Sequence, residues 1–181
     1  MASATVQISY FGESATTPAG SSGESTGMCF NLADSRSGTA NAISIPTTTA
    51  GTAYSYPKFL ALEVVATGTT SISNRQVARS SSPPAGIIIY WGSTSIYTQP
   101  AAAVAATNTT ADNADPDGTS TGWTAMTTSY VAYSTASVAT STGRNGDYLK
   151  LAIGVSSTGT YTGGPGSAIS LPNITISYDE A

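Results

Sequence analysis

A chain of 181 residues with a formal net charge of −4, six Lys and Arg, one cysteine and no histidine is long enough to bury roughly 70% of the surface its unfolded form exposes, without a disulfide framework. Charged residues make up 9% of it, against about 25% in an ordinary soluble domain, so Ser, Thr, Asn and Gly must carry the polar surface. Six scattered cations cannot neutralise a phosphate backbone, no stretch approaches the roughly 20 apolar residues of a membrane span, and without histidine the Ser-His-Asp and Cys-His nucleophile systems and histidine-ligated metals are excluded.

The opening residues lack the charged start and apolar core of a secretory signal and read as a strand through Val6, Ile8 and Tyr10. Residues 12–27, rich in Gly, Ser and Thr, bury too little to pack and are expected to form a long loop or arm. Residues 26–32 predict a second strand with Met28, Phe30 and Leu32 on one face and Cys29 as a small buried residue on the other, and residues 41–45 a third.

Residues 58–67 form the first strong strand. Leu60, Leu62, Val64 and Ala66 recur with a period of two while Glu63 takes the other parity, as expected for a strand buried on one face with Glu63 outward. Across residues 70–79, Ile72 and Val77 differ in parity, which predicts a bulge or break near Asn74, with Arg75 and Arg79 on a solvated or partner-facing side. Ile87 to Trp91 is a short β-branched and aromatic run between Pro83-Pro84-Ala85-Gly86 and Gly92, suited to a strand covered on both sides. These two apolar runs are expected to form the centre of one β-structure.

Residues 100–106 have the alanine content of a short helix without an amphipathic stripe, and 113–118 read as a turn. Residues 123–139 alternate apolar with Thr or Ser, fitting a kinked strand or a hairpin. Leu149, Leu151, Ile153 and Val155 then share one face of a third strong strand with Tyr148 and Lys150 on the other, and Gly143-Arg-Asn-Gly146 supplies turn chemistry before it. Ile174, Ile176 and Tyr178 mark a closing strand. Strands separated by Ser, Thr, Gly and Pro loops predict an all-β fold, an antiparallel β-sandwich or jelly roll in a single domain over 1–181.

Three constellations could carry chemistry. Asn113, Asp115 and Asp117 alternate before Gly118, like the first half of a calcium loop, but Thr124 stands where such a loop supplies its bidentate Glu; calcium is a hypothesis, against the plainer reading of an acidic turn and no cofactor. Tyr90, Trp91, Tyr97 and Trp123 could stack on the apolar faces of a sugar, or pack in the core or at a subunit interface. Glu63, the one acid in a strongly apolar strand, could serve a glycan hydrolase together with a loop aspartate, against the reading of an ordinary outward-facing acid.

The Met-Ala start running directly into a strand, the Ser/Thr/Ala/Gly texture, Ser71-Ile-Ser-Asn-Arg-Gln-Val-Ala-Arg79, Gly143-Arg-Asn-Gly-Asp-Tyr-Leu-Lys150 and the closing Leu171-Pro-Asn-Ile-Thr-Ile-Ser-Tyr178 together resemble the small all-β structural proteins of tailed-bacteriophage virions. The likeness is one of texture and transfers no functional residue. It implies a non-enzymatic virion component: a capsid decoration (cement) protein in contact with the major capsid protein or other virion proteins, or a tail, neck or fibre part binding a host glycan. The expected state is a homo-oligomer, a trimer, whose association covers strand edges that a charge-poor chain would otherwise expose. Neither nucleic acid nor membrane is expected as a partner.

Overall fold

The computed structural model describes residues 3–11, 30–31, 43, 45, 52–68, 71–97, 123–159, 161 and 169–181. Ten strands follow in chain order: β1 (Thr5–Phe11), β2 (Thr52–Tyr54), β3 (Lys58–Ala66), β4 (Ser71–Arg79), β5 (Ile87–Thr94), β6 (Thr124–Ala125), β7 (Val131–Ser134), β8 (Val138–Ala139), β9 (Gly143–Ser156) and β10 (Ile174–Glu180). All pairings are antiparallel. One sheet has the order β1-β3-β9-β5-β6 with β2 also on β9, and the other has β10-β4-β7 with β8 on β4. The described residues contain no helix, hence none long and apolar enough to cross a membrane.

The first sheet is built around β9, whose 14 residues pair with β2, β3 and β5. Its inward side chains Leu149, Leu151, Ile153 and Val155 are buried, as their period of two predicts. They meet Tyr10, Leu60, Ile87 and Ile89 of the same sheet and Val77 and Tyr133 of the other. Each such aliphatic side chain taken from water contributes roughly 1.5–3 kcal/mol before conformational entropy is counted. The sheets therefore pack face to face as an antiparallel β-sandwich, the fold class expected from the sequence.

Several local expectations change. β3 and β5 share a sheet, but β9 lies between them. β3 is buried on both faces in its first half, because Phe59 and Ala61 join Phe11 and Tyr148 on the outer side. β5 is not covered on both sides: Ile87 and Ile89 face the core, while Ile88 is 44% exposed. Gly143 and Gly146 have φ of 107° and 83°, yet they lie inside β9 and not in a turn before it. The register jumps from Leu60↔Leu149 to Leu62↔Asn145, so Gly146 serves a bulge, while Gly143 opens the strand in regular register with Val64.

Residues 123–139 are neither one kinked strand nor a hairpin, since β6 joins the first sheet and β7 and β8 the second. The irregularity expected near Asn74 is present: Asn74 has φ 48° and the register of β4 with β7 shifts between Arg75 and Gln76. Phe30, Asn31, Ile43 and Ile45, the described members of the strands expected over 26–32 and 41–45, are not in strand. The arm at 12–27, the helix candidate at 100–106 and the turn at 113–118 lie outside the described residues.

Candidate interaction face

The outer side of the first sheet carries most of the side chains that a ligand or partner could use. Cross-strand register builds it row by row. Gln7, Glu63 and Arg144 form one row across β1, β3 and β9. Phe11, Phe59, Lys150 and Gly92 form another. Tyr90 lies between Ala152 and Ala125, and Tyr54 and Ile88 flank Gly154.

Aromatic rings occupy the middle of this face in edge-to-face contact. Phe59 lies 5.0 Å from Tyr97 and 6.3 Å from Tyr148, both near perpendicular, and Phe11 lies 5.2 Å from Tyr148. Such pairs add about 0.5–1.5 kcal/mol to the area they bury. Two cations stack on rings of this face: the Arg144 guanidinium lies 4.4 Å from the Tyr148 ring centre, and the Lys150 ammonium 4.6 Å from that of Trp123. Lys150 is almost fully buried, whereas Arg144 is exposed.

Tyr90 tilts against Tyr54 at 5.9 Å. Burial pushes its phenol above the ordinary value, and the neighbouring Tyr54 adds to the shift. Both rings come close over Gly154, where a Cβ would sit 3.1 Å from Tyr90 and 3.2 Å from Tyr54. Ala152, the register partner of Tyr90, is a second small residue beside these rings and is fully buried.

Of the four aromatics picked out in the sequence, the structure brings Tyr90, Tyr97 and Trp123 to this side. Trp91 points the other way and packs against the main core, because it is out of phase with Tyr90 on the same strand. The sequence reading missed Phe11, Tyr54 and Phe59. Their signal was the second face of β9, where Tyr148, Ala152 and Gly154 offer rings and the space for them.

Glu63 does point outward, partly exposed. Its Oε2 accepts hydrogen bonds from Gln7 Nε2 at 2.9 Å and from the buried Ser9 hydroxyl. Those bonds tie β1 to β3. Asn113, Asp115 and Asp117 lie outside the described residues; among the described residues no three His, Cys, Asp or Glu side chains gather into a metal-ligating group.

Arg75 departs most from expectation. It is not solvated: it is 0% exposed, inward because the irregularity at Asn74 reverses the parity of β4 after Ile72. Its Nη1 donates to Ala136 O at 2.9 Å, and its Nη2 to Ile72 O at 3.0 Å and to Asn145 Oδ1. The guanidinium also lies against Gly146, where a Cβ would come within 2.7 Å of it. Burial lowers its pKa, while Tyr133 and Asp147 oppose the shift. Burial likewise pushes the Tyr133 phenol up to about 12, with Arg75 opposing and Asp147 reinforcing. Arg79 is half-buried, its Nε donating to Met126 O at 2.6 Å.

Compared with known proteins, the chain matches no family model, no curated protein and no solved structure.

Proposed function

We propose that this chain is a non-enzymatic structural protein that acts by lying against other protein, and that its setting is a virion, as a decoration protein on a bacteriophage head. The observation that carries the first part is the use made of its reactive side chains. Lys58, Arg75 and Lys150, three of the six cations, are at most 3% exposed and are held by Asn31, by backbone carbonyls and by an indole ring. Glu63, the acid with most promise for catalysis, fastens β1 to β3. Polar chemistry that a substrate would need is engaged in holding the sandwich together. Among the described residues the surface that results is sparsely charged β-structure, suited to burial against a partner.

The virion setting rests on the sequence likeness alone. A decoration protein works through buried area: contacts of roughly 1,600 Å² repeated over a shell raise the free energy needed to open it. Heads assembled without the chain should release their contents at a lower temperature than complete heads, and adding the purified chain should restore the difference. Equal resistance to heat and osmotic shock with and without it would overturn the role. A few copies at one vertex, in place of many over the shell, would move the protein to the tail or neck.

A further inference from the structure

The two flanks of the sandwich are built differently. On one, the first sheet ends in β6, of two residues, and the second in β7, of four; short edge strands are a common protection against edge-to-edge pairing. On the other, the sheets end in β1 and β10, of seven residues each. These two edges border the same flank, because Val6 of β1 and Tyr178 of β10 pack against one cluster of Ala4, Leu62, Val64 and Ile72. Neither strand contains Pro, Lys or Arg, and β1 contains no charge at all.

Among the described residues β1 pairs only with β3, and β10 only with β4. In each, every second residue aims its N–H and C=O away from its one neighbour. The interior is open there too. Val6, Ile8, Ile174, Ile176 and Tyr178 all pack toward the core yet remain partly exposed, so an apolar seam runs between these two edges.

We infer that this β1/β10 flank is a self-association surface, and that its occupant is a second copy of the chain related by a two-fold axis normal to the sheets. The inference rests on the reading that the chain acts by contact with protein, and it names the first such contact. An axis in that direction lays β1 antiparallel on its own copy and β10 antiparallel on its own copy at once, continuing both sheets. Antiparallel pairing of a strand with itself is self-complementary at every position, which is what an isologous interface requires.

Charge permits the arrangement. β1 brings none, and antiparallel pairing centred on Ser177 sends Asp179 and Glu180 of the two copies to opposite ends, where a parallel pairing would stack them. A ring of three needs complementary patches on different flanks, and here both edges lie on one; the geometry thus favours two copies over the trimer expected from the sequence. The flank measures about 24 Å along the strands by about 20 Å across two sheets roughly 10 Å apart with their side chains. Two copies then bury on the order of 1,000 Å², near the lower bound for a specific interface, so the dimer should dissociate on dilution.

The test is sedimentation of the full chain over a dilution series, with amide hydrogen exchange at its two ends. The expected result is a monomer–dimer equilibrium in which amides of residues 5–9 and 174–180 exchange at least tenfold more slowly in the dimer. Ile176→Lys, which leaves a charge in the seam, should weaken association at least tenfold. Because Ile176 also touches the core, exchange on the unmodified chain, which needs no variant, serves as the second and independent measurement. A dimer or higher oligomer whose exchange at these two segments does not change with concentration would overturn the inference and leave contact function standing. A three-fold assembly protecting them would overturn the two-fold pairing, and a chain monomeric at every concentration and inert toward other proteins would remove both.

Discussion

Tyr133 and Arg75 show how a single buried residue sets the response of this sandwich to pH. The Tyr133 hydroxyl is buried with no hydrogen-bond partner, and its pKa rises from 10.0 to about 12 chiefly through burial. The native state therefore holds the neutral phenol while the unfolded chain ionises near 10. Stability from this group is complete below pH 10 and is lost as pH climbs toward 12, by up to about 3 kcal/mol. Tyr133→Phe removes an unpaired buried hydroxyl. Urea unfolding should find it at least as stable as the parent at neutral pH, and should find a smaller loss between about pH 8 and about pH 11.5. A variant with the parent's alkaline slope would show that Tyr133 does not cause it. Arg75 carries the opposite burden, a cation kept from water by three acceptors. Arg75→Ala should cost about 3–5 kcal/mol, taking the guanidinium donors from Ala136 O, Ile72 O and Asn145 Oδ1 and leaving a void beside them. Arg75→Met refills most of the volume and should recover part of that loss; full recovery would mean that the hydrogen bonds contribute nothing net.

Two glycines with the same backbone preference should behave differently because their elements do. Gly86, at φ 85°, ends the turn before β5. A Cβ there would run into the backbone of Gly159 and come within 2.6 Å of the Tyr161 hydroxyl, which itself lies 3.0 Å from Gly86 O and 2.5 Å from Ser156 O. Gly143, at φ 107°, has nothing within 4 Å of its Cβ position. Gly143→Ala should cost about 1 kcal/mol of backbone strain, and Gly86→Ala more than about 3 kcal/mol, since strain and collision add. Equal melting temperatures for the two would contradict that difference. The same contrast explains what the sequence made legible. β1, β3, β9 and β10 stand out because each alternates over five or more residues, and β5 because it is a continuous β-branched and aromatic run. Gly143 and Gly146 advertise positive φ but not whether it serves a turn or a bulge, since that depends on the partner strand. Likewise the parity of β4 signals an irregularity, but only register with β7 tells that it turns Arg75 inward. The outer aromatic face was half visible: Tyr148 and Lys150 show their parity, whereas the rows linking them to Phe11, Phe59 and Tyr54 exist only once β3, β9 and β5 are ordered.

At the scale of the molecule, the sparse positive charge is drawn inward. With Lys58, Arg75 and Lys150 buried, the described residues leave only half-buried Arg79 and exposed Arg144 as cations near the surface, beside at least partly exposed Glu63, Asp147, Asp179 and Glu180. Contacts made by such a surface must draw on apolar burial and backbone hydrogen bonds, neither of which is screened by ions. Self-association should therefore change by less than about threefold between about 50 mM and about 500 mM NaCl, whereas a protein holding six or more phosphates loses on the order of a thousandfold over a smaller range. Sulfate, excluded from apolar surface, should strengthen it. Sedimentation equilibrium across both salts measures this directly. A steep weakening with NaCl would place charge at the contact, which an edge with no Lys or Arg and no acid before Asp179 cannot supply, and would point the assembly away from β1 and β10.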